Sequence, residues 1–317
     1  MHAEGSPGNA YQTPALAVCA MSKLKMWLIA TRPWSFVMTF ISITGAAAYT
    51  YVRAHAFDPL YYVAVLVGVT LLHAAANVLN DYYDTVRGVD VPGAPTTLYR
   101  PHPILTGFAT PQQLKSLGLA LMAGGLAIAA VLALARTLVV VLLALAGAVL
   151  LFSYSGPPGL KYRALGELGV FLSWGVFMWL GTWYVMTGVL ALDPVAASVP
   201  VGLLVASVLT ANNLRDIEFD KSRGAITLAV LLGRERGLVF YTAEILGAYA
   251  AAALLVLLRV LPLYSLLALL TLPQAVGMVR RFRSSIPENA DPLTAQLVQN
   301  FGILYIAGLL LQAIQPL

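Results

Sequence analysis

Two segments of the sequence carry asparagine and aspartate at matching helical spacing. The shared pattern is Asn-x-x-x-Asp, a further Asp and a closing Arg-Gly, and it comprises Asn77, Asp81 and Asp84 in one segment and Asn212, Asp216 and Asp220 in the other. Steps of three and four residues place side chains on one face of a helix. The sequence therefore predicts two helix ends, each with carboxylates on a single face.

These two segments also concentrate negative charge. Six of the 14 acidic residues of the chain lie in them, namely Asp81, Asp84, Asp90, Asp216, Glu218 and Asp220. Carboxylates close together at the negative end of a helix raise each other's pKa unless a cation neutralises them. Oxygen ligands without His or Cys favour Mg²⁺ over Ca²⁺, and Mg²⁺ usually completes its shell with phosphate oxygens and water. The pattern thus predicts a Mg²⁺ site for a phosphate ester, because acidic residues that only decorate helix ends need not repeat one spacing.

Basic residues follow the acidic segments and are candidates for binding a diphosphate and stabilising it as it leaves. The candidates are Arg100, Lys161, Arg163, Lys221 and Arg223. The alternative interpretation is that basic residues only set membrane topology, and we accept it for those outside this group, such as Lys115. A binding role is favoured for Lys161 because it follows the rigid turn 156–159, Gly-Pro-Pro-Gly. His73 and His102 have no partner at metal-ligand spacing, and no role is predicted for them.

The rest of the chain must hold these groups in a membrane. Of 317 residues, 59% are hydrophobic and 10% charged, against about 25% charged in a soluble domain. Apolar segments of about 20 residues predict transmembrane helices. We predict nine, over residues 34–52, 60–80, 114–135, 137–154, 167–190, 195–215, 237–258, 260–279 and 298–315. Eight is the alternative count, because two pairs of segments are separated by only a few residues.

The distribution of basic residues predicts the orientation. With nine spans, 16 of the 19 Lys and Arg residues fall on one side of the membrane, which by the positive-inside rule is the cytoplasm. The N-terminus, both acidic helix ends and the loops 88–113, 155–166 and 216–236 share that side. Residues 1–20 lack the basic start of a signal peptide and are interpreted as a disordered tail. Residues 21–317 form the membrane domain, and the single cysteine, Cys19, excludes an intrachain disulfide.

The two acidic segments indicate an internal repeat. Asp81 and Asp216 are separated by 135 residues, or four predicted spans. Two four-helix halves plus a ninth helix would place the acidic ends opposite each other around a central cavity. Six aromatic residues either line that cavity, where ring faces can stabilise a cation, or form an interfacial belt. They are Tyr82, Tyr83, Tyr154, Trp174, Trp179 and Trp183.

Together these motifs resemble the UbiA superfamily of intramembrane aromatic prenyltransferases. The resemblance rests on NDYYD and DIEFD, and on TRPWSF, RPHPILTG and YSGPPGLKYRALGEL. Within the superfamily the chain is most similar to the 1,4-dihydroxy-2-naphthoate prenyltransferases of menaquinone synthesis, because of GVD after the first motif, NNLRDIE, and TLAVLLG after the second. Two features depart from the family. Gly88 replaces the last Asp of the first motif, with Asp90 two residues on, and residues 224–227 read Gly-Ala-Ile-Thr rather than Gly-Lys-Arg-Thr.

The resemblance implies nine transmembrane helices around a cavity that opens sideways to lipid. It implies Mg²⁺ held by Asp81, Asp84, Asp90, Asp216 and Asp220. It implies a diphosphate bound by Asn77, Asn80, Arg100, Lys161, Arg163, Asn212, Lys221 and Arg223. The catalytic residues would be Asp84, Asp216 and Lys161. Ionisation of a polyprenyl diphosphate would leave an allylic cation, which an aromatic acceptor attacks, and the enzyme would be a multi-pass protein of the cell membrane.

Other functions remain open from the sequence. A transporter would suit the repeat and the number of spans, but its charges are expected near the midplane, and the predicted spans contain no isolated mid-helix Asp, Lys or Arg. A prenyltransferase with another acceptor, 4-hydroxybenzoate or a glycerol-phosphate ether, would share the acidic motifs. No feature indicates nucleic-acid binding, and the oligomeric state and prenyl chain length are not predicted.

Overall fold

The computed structural model describes residues 22–315, which form helices joined by short loops. Within this range there is no β-strand, and one isolated bridge pairs the backbones of Arg163 and Ile226. The tail predicted for residues 1–20 lies outside the described residues. The predicted all-α membrane architecture is confirmed.

Within residues 22–315, eight helices are long and apolar enough to cross a bilayer. They are α2 (Pro33–Ala54), α3 (Pro59–Val86), α4 (Pro111–Ala135), α6 (Gly166–Thr187), α7 (Asp193–Arg215), α9 (Leu228–Leu257), α10 (Leu263–Ser284) and α11 (Ala290–Ile314). A shorter apolar helix is α5 (Val139–Ser155). Two short helices outside this set are α1 (Lys23–Ala30) and α8 (Ile217–Ser222).

Helix α5 decides between eight and nine crossings. Its 17 residues span about 25 Å, less than the roughly 30 Å of a typical hydrocarbon core. The two ends of α5 nevertheless contact opposite ends of the helix bundle. Arg136, just before α5, donates to the carbonyl of Val185 at 2.7 Å, whereas Ser155 donates to Asn80 at 2.8 Å. This geometry supports a ninth crossing, and the count of nine stays a prediction.

Capping residues in the sequence explain where several helices begin. The Asp58 carboxylate accepts from two backbone amides of α3, and Pro59 occupies the first turn. Thr110 and Gln113 form a reciprocal capping box at the start of α4. Thr227 caps α9, which begins nine residues before the predicted seventh span and is interrupted by a non-helical break at Gly233. The prediction did not include residues 228–236, because the break and the three charged residues after it separate the short apolar run 228–232 from the long one.

Close helix packing explains several glycines. On α4, a Cβ at Gly125 would lie 2.8 Å from the carbonyl oxygen of Gly68 on α3. On α9, a Cβ at Gly237 would lie 2.7 Å from the Leu214 side chain of α7. Each helix that carries an acidic segment thus packs against the next long helix of the chain, as expected for the predicted repeat.

The aromatic core lies between α2, α6 and α11. Trp179 is fully buried there, with its ring centroid 6.1 Å from that of Tyr49 and 6.2 Å from that of Tyr305. Trp183 packs on the other side of Tyr49 at 6.1 Å. Neither predicted environment, cavity wall or interfacial belt, describes Trp179, because its ring fills the space between three helices.

Candidate active site

The first acidic segment lies within the last turns of α3. The predicted second span ends at residue 80, but α3 continues to Val86, so Asp81 and Asp84 are helical. Gly88 then adopts φ +72, a conformation that favours glycine. This turn returns the chain to the helix end, where the amide of Asp90 donates to the carbonyl of Asp84 at 3.1 Å. The departure from the family pattern at Gly88 therefore has a conformational reason.

The second acidic segment spans a break between two helices. Helix α7 ends at Arg215, and Asp216 adopts a non-helical conformation before α8 begins. Helical backbone hydrogen bonds nevertheless cross the break, from Asp216 to Asn212 at 3.1 Å and from Asp220 to Asp216 at 2.8 Å. The predicted spacing of these three residues is therefore preserved.

The two segments meet across one cleft, which we call the acidic cleft. The predicted site residues that line it are Asn80, Asp84, Asp90, Lys161, Asn212, Asp216 and Asp220. Arg32 and Asn213 line it as well. The sequence predicts that the two acidic helix ends face each other, and in the structure they do so.

Asp84 is the most enclosed carboxylate of the cleft. It is only 2% exposed, and it accepts hydrogen bonds from Lys161 at 2.6 Å, from Asn80 at 3.0 Å and from the Tyr162 hydroxyl. Burial works to lower the pKa of Lys161, but Asp84, together with Tyr162, Tyr154 and Asp220, outweighs it and holds that pKa well above its ordinary value. Lys161 is therefore a permanent cation inside the cleft.

The opposite wall carries Asp216 and Asp220. Arg215 binds both oxygens of Asp216, at 2.7 and 2.8 Å, and also contacts Asn212 at 2.9 Å. Burial raises the pKa of Asp220 to about 7; Lys161 opposes the rise, whereas the carboxylates of Asp216 and Asp84 add to it. A cation bound beside these carboxylates would favour their charged forms and lower the pKa of Asp220.

Asp81 lies outside the acidic cleft. It is fully buried and accepts two hydrogen bonds from Arg100, at 2.9 and 2.6 Å, and one from Arg32. Its charge is thus compensated by guanidinium groups, and Arg100 is in turn occupied by Asp81. In this structure Asp81 and Arg100 form an ion pair with each other at the loop after α3, and their assignments to the metal and to the diphosphate stay predictions.

Three other predicted diphosphate ligands are not brought into the cleft. Arg163, Lys221 and Arg223 are exposed, and the Arg223 guanidinium lies 5.6 Å from the ring of Phe219. Asn77 lies deeper than the cleft and donates to the carbonyl of Thr31 at 2.9 Å. These exposed cations fit the topological interpretation that the sequence also allowed.

Two neighbours of the cleft were missed from the sequence. His102 contacts Asp90 at 3.2 Å and, with Asp81, completes a group whose ligand atoms lie within 4.8 Å of one another. Because the Asp81 oxygens already bind two guanidinium groups, this group is a poor cation site. Arg32, counted only toward topology, reaches the cleft because the chain before α2 turns sharply there, with φ +54. Sequence spacing carries no signal for either contact.

Behind the cleft, the central cavity shares Arg32, Asn80, Lys161 and Asn212 with it and continues between apolar walls. Tyr154 and Trp174 line this cavity, as one of the two interpretations of the aromatic residues predicted. The polar mouth and apolar depth suit a molecule with an anionic head and a hydrocarbon tail.

The donor set of the cleft fits Mg²⁺. Asp84, Asp216 and Asp220 supply carboxylate oxygens from two facing helix ends, and Asp90 adds a fourth at the edge. Hard oxygen donors are the ligands that Mg²⁺ prefers. Burial is the main cause of the raised pKa of Asp220, and the nearby carboxylates of Asp216 and Asp84 add to it.

The sequence matches the UbiA prenyltransferase family over residues 40–300. It is 33% identical to UbiA prenyltransferase domain-containing protein 1 homolog of Drosophila melanogaster, over 90% of this chain and 79% of that protein. It is 30% identical to UbiA prenyltransferase domain-containing protein 1 of Homo sapiens, over 91% and 84%. The fold is similar to that of a UbiA homologue from Archaeoglobus fulgidus bound to GPP and Mg²⁺, with a TM-score of 0.65 and 19% identity over 90% of this chain and 98% of that one. With a family match over most of its length and all-helical membrane architecture, the chain is a multi-pass membrane protein that belongs to the UbiA prenyltransferase family.

Proposed function

We propose that the enzyme uses Mg²⁺ to transfer a polyprenyl group from an isoprenoid diphosphate to an aromatic acceptor, 1,4-dihydroxy-2-naphthoate. The observation that carries the proposal is one cleft with Asp84, Asp216 and Asp220 on facing helix ends, continuous with an apolar cavity. The Archaeoglobus fulgidus homologue of similar fold, bound to GPP and Mg²⁺, supports this choice of substrate and metal.

The residues of the cleft would have two roles, metal binding and stabilisation of the diphosphate. Asp84, Asp216 and Asp220 would hold Mg²⁺, with Asp90 at the edge. When bound, the ion neutralises the diphosphate and stabilises the charge that it gains on leaving. Lys161 and Arg32 supply positive charge at the mouth of the cavity, where the bridging oxygen of the diphosphate would lie.

The reaction is a substitution at the allylic carbon. The bond from that carbon to the diphosphate oxygen breaks, and its electron pair leaves with the oxygen. Trp174 and Tyr154 line the central cavity, where their rings could stabilise the allylic cation. A ring carbon of the acceptor supplies the pair for the new carbon–carbon bond. Loss of CO₂ from the naphthoate, or of a proton from another acceptor, then restores aromaticity.

The naphthoate assignment rests on the resemblance and on Asp90. In the naphthoate branch the acidic residue after the first motif is shifted by two positions, and Asp90 reaches the cleft from that shifted position. The departure at 224–227 is the feature that weighs against it, because Ala225 and Ile226 stand where relatives have Lys and Arg and offer no charge.

Competition between acceptors tests the assignment. Purified enzyme would receive Mg²⁺, one prenyl diphosphate and equal amounts of dihydroxynaphthoate, 4-hydroxybenzoate and a glycerol-phosphate ether. We expect the product mass to be that of decarboxylated prenyl naphthoate. Transfer to either other acceptor alone would reject the naphthoate assignment while leaving the prenyltransferase intact.

Replacement of Lys161 should affect turnover more than binding. Its ammonium gains interaction energy as the leaving diphosphate gains charge, so we expect Lys161→Ala to lower kcat by at least about tenfold with a smaller rise in KM for the prenyl diphosphate. Lys161→Arg should restore only part of kcat, because a guanidinium has a different shape. Exposed Lys221 provides the control: Lys221→Ala should leave both constants unchanged. An unaltered kcat in correctly inserted Lys161→Ala would remove Lys161 from the site.

We further propose that the acidic cleft faces the cytoplasm, since most basic residues lie at that end. In a Cys19→Ser background, single cysteines would replace exposed Lys221 at the cleft end and exposed Leu192 at the opposite end. With a membrane-impermeant maleimide on intact cells, we expect labelling of Leu192→Cys only. Lys221→Cys should react after permeabilisation, and the reverse pattern would contradict the orientation.

A further inference from the structure

We propose that the prenyl chain enters a second apolar pocket, between α3, α4, α5 and α6, and that Gly147 and Gly181 in its wall determine which chain lengths are accepted. We call it the tail pocket. The inference rests on the proposed function, because it assigns a place to the hydrocarbon part of the same substrate. Neither glycine belongs to the acidic cleft or to the central cavity.

The tail pocket adjoins the central cavity. Leu151 of α5 and Ser173 of α6 line both. From Leu151 the pocket follows α5 back to Val140, a distance of about 16 Å along the helix axis. A chain attached to a diphosphate in the acidic cleft would therefore pass through the central cavity and continue away from the cleft, toward the opposite end of the helices.

The junction between the two spaces has an unusual backbone. Residues 171–177 of α6 form a π-helical stretch that includes Ser173 and Trp174. A π-helical segment widens a helix locally and is frequent at functional sites. In this stretch Ser173 lines both spaces, and Trp174 lines the central cavity, where the allylic end of the chain would lie.

The chemistry of the tail pocket selects a neutral hydrocarbon. Its walls are mainly Ala, Val, Leu, Ile and Gly, and the hydroxyl groups among them are those of Ser173 and Thr182. Both hydroxyls are already satisfied within their own helix, donating to carbonyl oxygens at 2.8 and 2.7 Å. A charged head or an acceptor hydroxyl would find no partner there, whereas a prenyl chain needs none.

Gly147 and Gly181 are not required by helix packing. A Cβ added at either meets no atom within 4 Å, unlike Gly125, where the neighbouring helix is in close contact. Both have helical conformations open to any residue, and neither has a positive φ. Glycine in a helix interior is less stable than alanine, and at these two positions it leaves space in the wall of the tail pocket. Larger side chains there would occupy the space of the chain.

Filling the pocket tests the inference. Wild-type enzyme, Gly147→Leu and Gly181→Leu would be assayed with Mg²⁺, the acceptor and either geranyl or geranylgeranyl diphosphate. We expect the ratio of turnover with the longer chain to turnover with the shorter chain to fall at least about tenfold in both variants, the scale of discrimination by a filled apolar pocket. Gly277→Leu is the matched control: Gly277 lies in α10, also meets open space, and is outside the tail pocket. Its ratio should equal that of wild type.

The outcomes separate the inference from the function on which it rests. An unchanged ratio in folded Gly147→Leu and Gly181→Leu would overturn the tail pocket while prenyl transfer stands. Absence of prenyl transfer in wild type with every chain length would overturn both. If a leucine variant fails to fold, as shown by its melting temperature in detergent, Gly147→Ala and Gly147→Val replace it, and a ratio that does not fall with side-chain size counts against the pocket.

Discussion

Removal of divalent cations with EDTA is expected to lower prenyl transfer by at least about 1000-fold, and added Mg²⁺ to restore it. Two like charges about 4 Å apart repel by roughly 4 kcal/mol at an effective dielectric constant of about 20, which is a factor of about 1000. A diphosphate in the acidic cleft would face three carboxylates, Asp84, Asp216 and Asp220. Three such pairs would exceed the roughly 8 kcal/mol of a micromolar affinity. Lys161, paired with Asp84, and Arg215, paired with Asp216, offset part of this repulsion, and we expect Mg²⁺ to offset the rest.

Replacement of Mg²⁺ by Ca²⁺ is the control for this prediction. Ca²⁺ restores charge balance but takes more ligands at longer distances than Mg²⁺. We expect Ca²⁺ to restore binding of the prenyl diphosphate more fully than turnover. Titration of each ion into EDTA-treated enzyme, with binding and product measured separately, distinguishes the two. Full turnover in metal-free enzyme would reject the metal site and the mechanism with it.

The encounter of the two acidic segments was predictable because it depends on periodicity. Steps of three and four residues fix the face of a helix, and a repeat 135 residues apart predicts two equivalent helix ends. The structure contains that arrangement, with Asp84 on one wall of the cleft and Asp216 and Asp220 on the other. Helical spacing survived even the break at Asp216, because the backbone hydrogen bonds continue across it.

The separation of Asp81 from Asp84 was not predictable in the same way. Both lie on the same helix end three residues apart, yet Asp81 pairs with Arg100 and Arg32 while Asp84 faces Lys161. The difference arises from the loop after α3, which folds back over one side of the helix. No periodic pattern encodes that loop, so helical spacing does not distinguish the surroundings of the two carboxylates.

Charge counting also failed to distinguish basic residues with different roles. Arg215 was counted only toward topology, but it binds Asp216 and forms an ion pair with Asp291. Arg163, assigned to the diphosphate, is exposed. A basic residue next to an acidic helix end satisfies the positive-inside rule whether or not it reaches the site, and only the fold of the connecting segments decides.

Buried carboxylates within the helices form a second group that spacing did not reveal. Glu167 accepts from Asn213 at 2.8 Å, and Glu244 accepts from Thr210 at 2.6 Å. These pairs join α6, α7 and α9 behind the second acidic segment. Each carboxyl has a hydrogen-bond partner that is distant in sequence, so neither stands out in a search for local motifs.

Asp84→Asn and Asp216→Asn are each expected to lower kcat by at least about 100-fold, the scale of removing a group that stabilises leaving-group charge. Asparagine keeps the shape and one acceptor oxygen but loses the charge that a metal requires. Asparagine is preferable to alanine at Asp84, because that carboxylate is buried and accepts from Lys161, Asn80 and Tyr162. Alanine would leave a partly buried ammonium unpaired, which is strongly destabilising, and loss of rate could then reflect loss of fold.

Asp193→Asn is the matched control for both substitutions. Asp193 lies at the opposite end of α7 from Asp216, and its side chain is 58% exposed with a 3.6 Å pairing to Arg53. An exposed pair of this kind contributes little to stability, so kcat should remain at the wild-type level. The apparent affinity for Mg²⁺ provides the second measurement: it should weaken in Asp84→Asn and Asp216→Asn and stay unchanged in Asp193→Asn. A wild-type rate in either cleft variant, with the melting temperature preserved, would show that the metal is held elsewhere, because removing the charge of a true metal ligand should weaken Mg²⁺ binding and slow turnover.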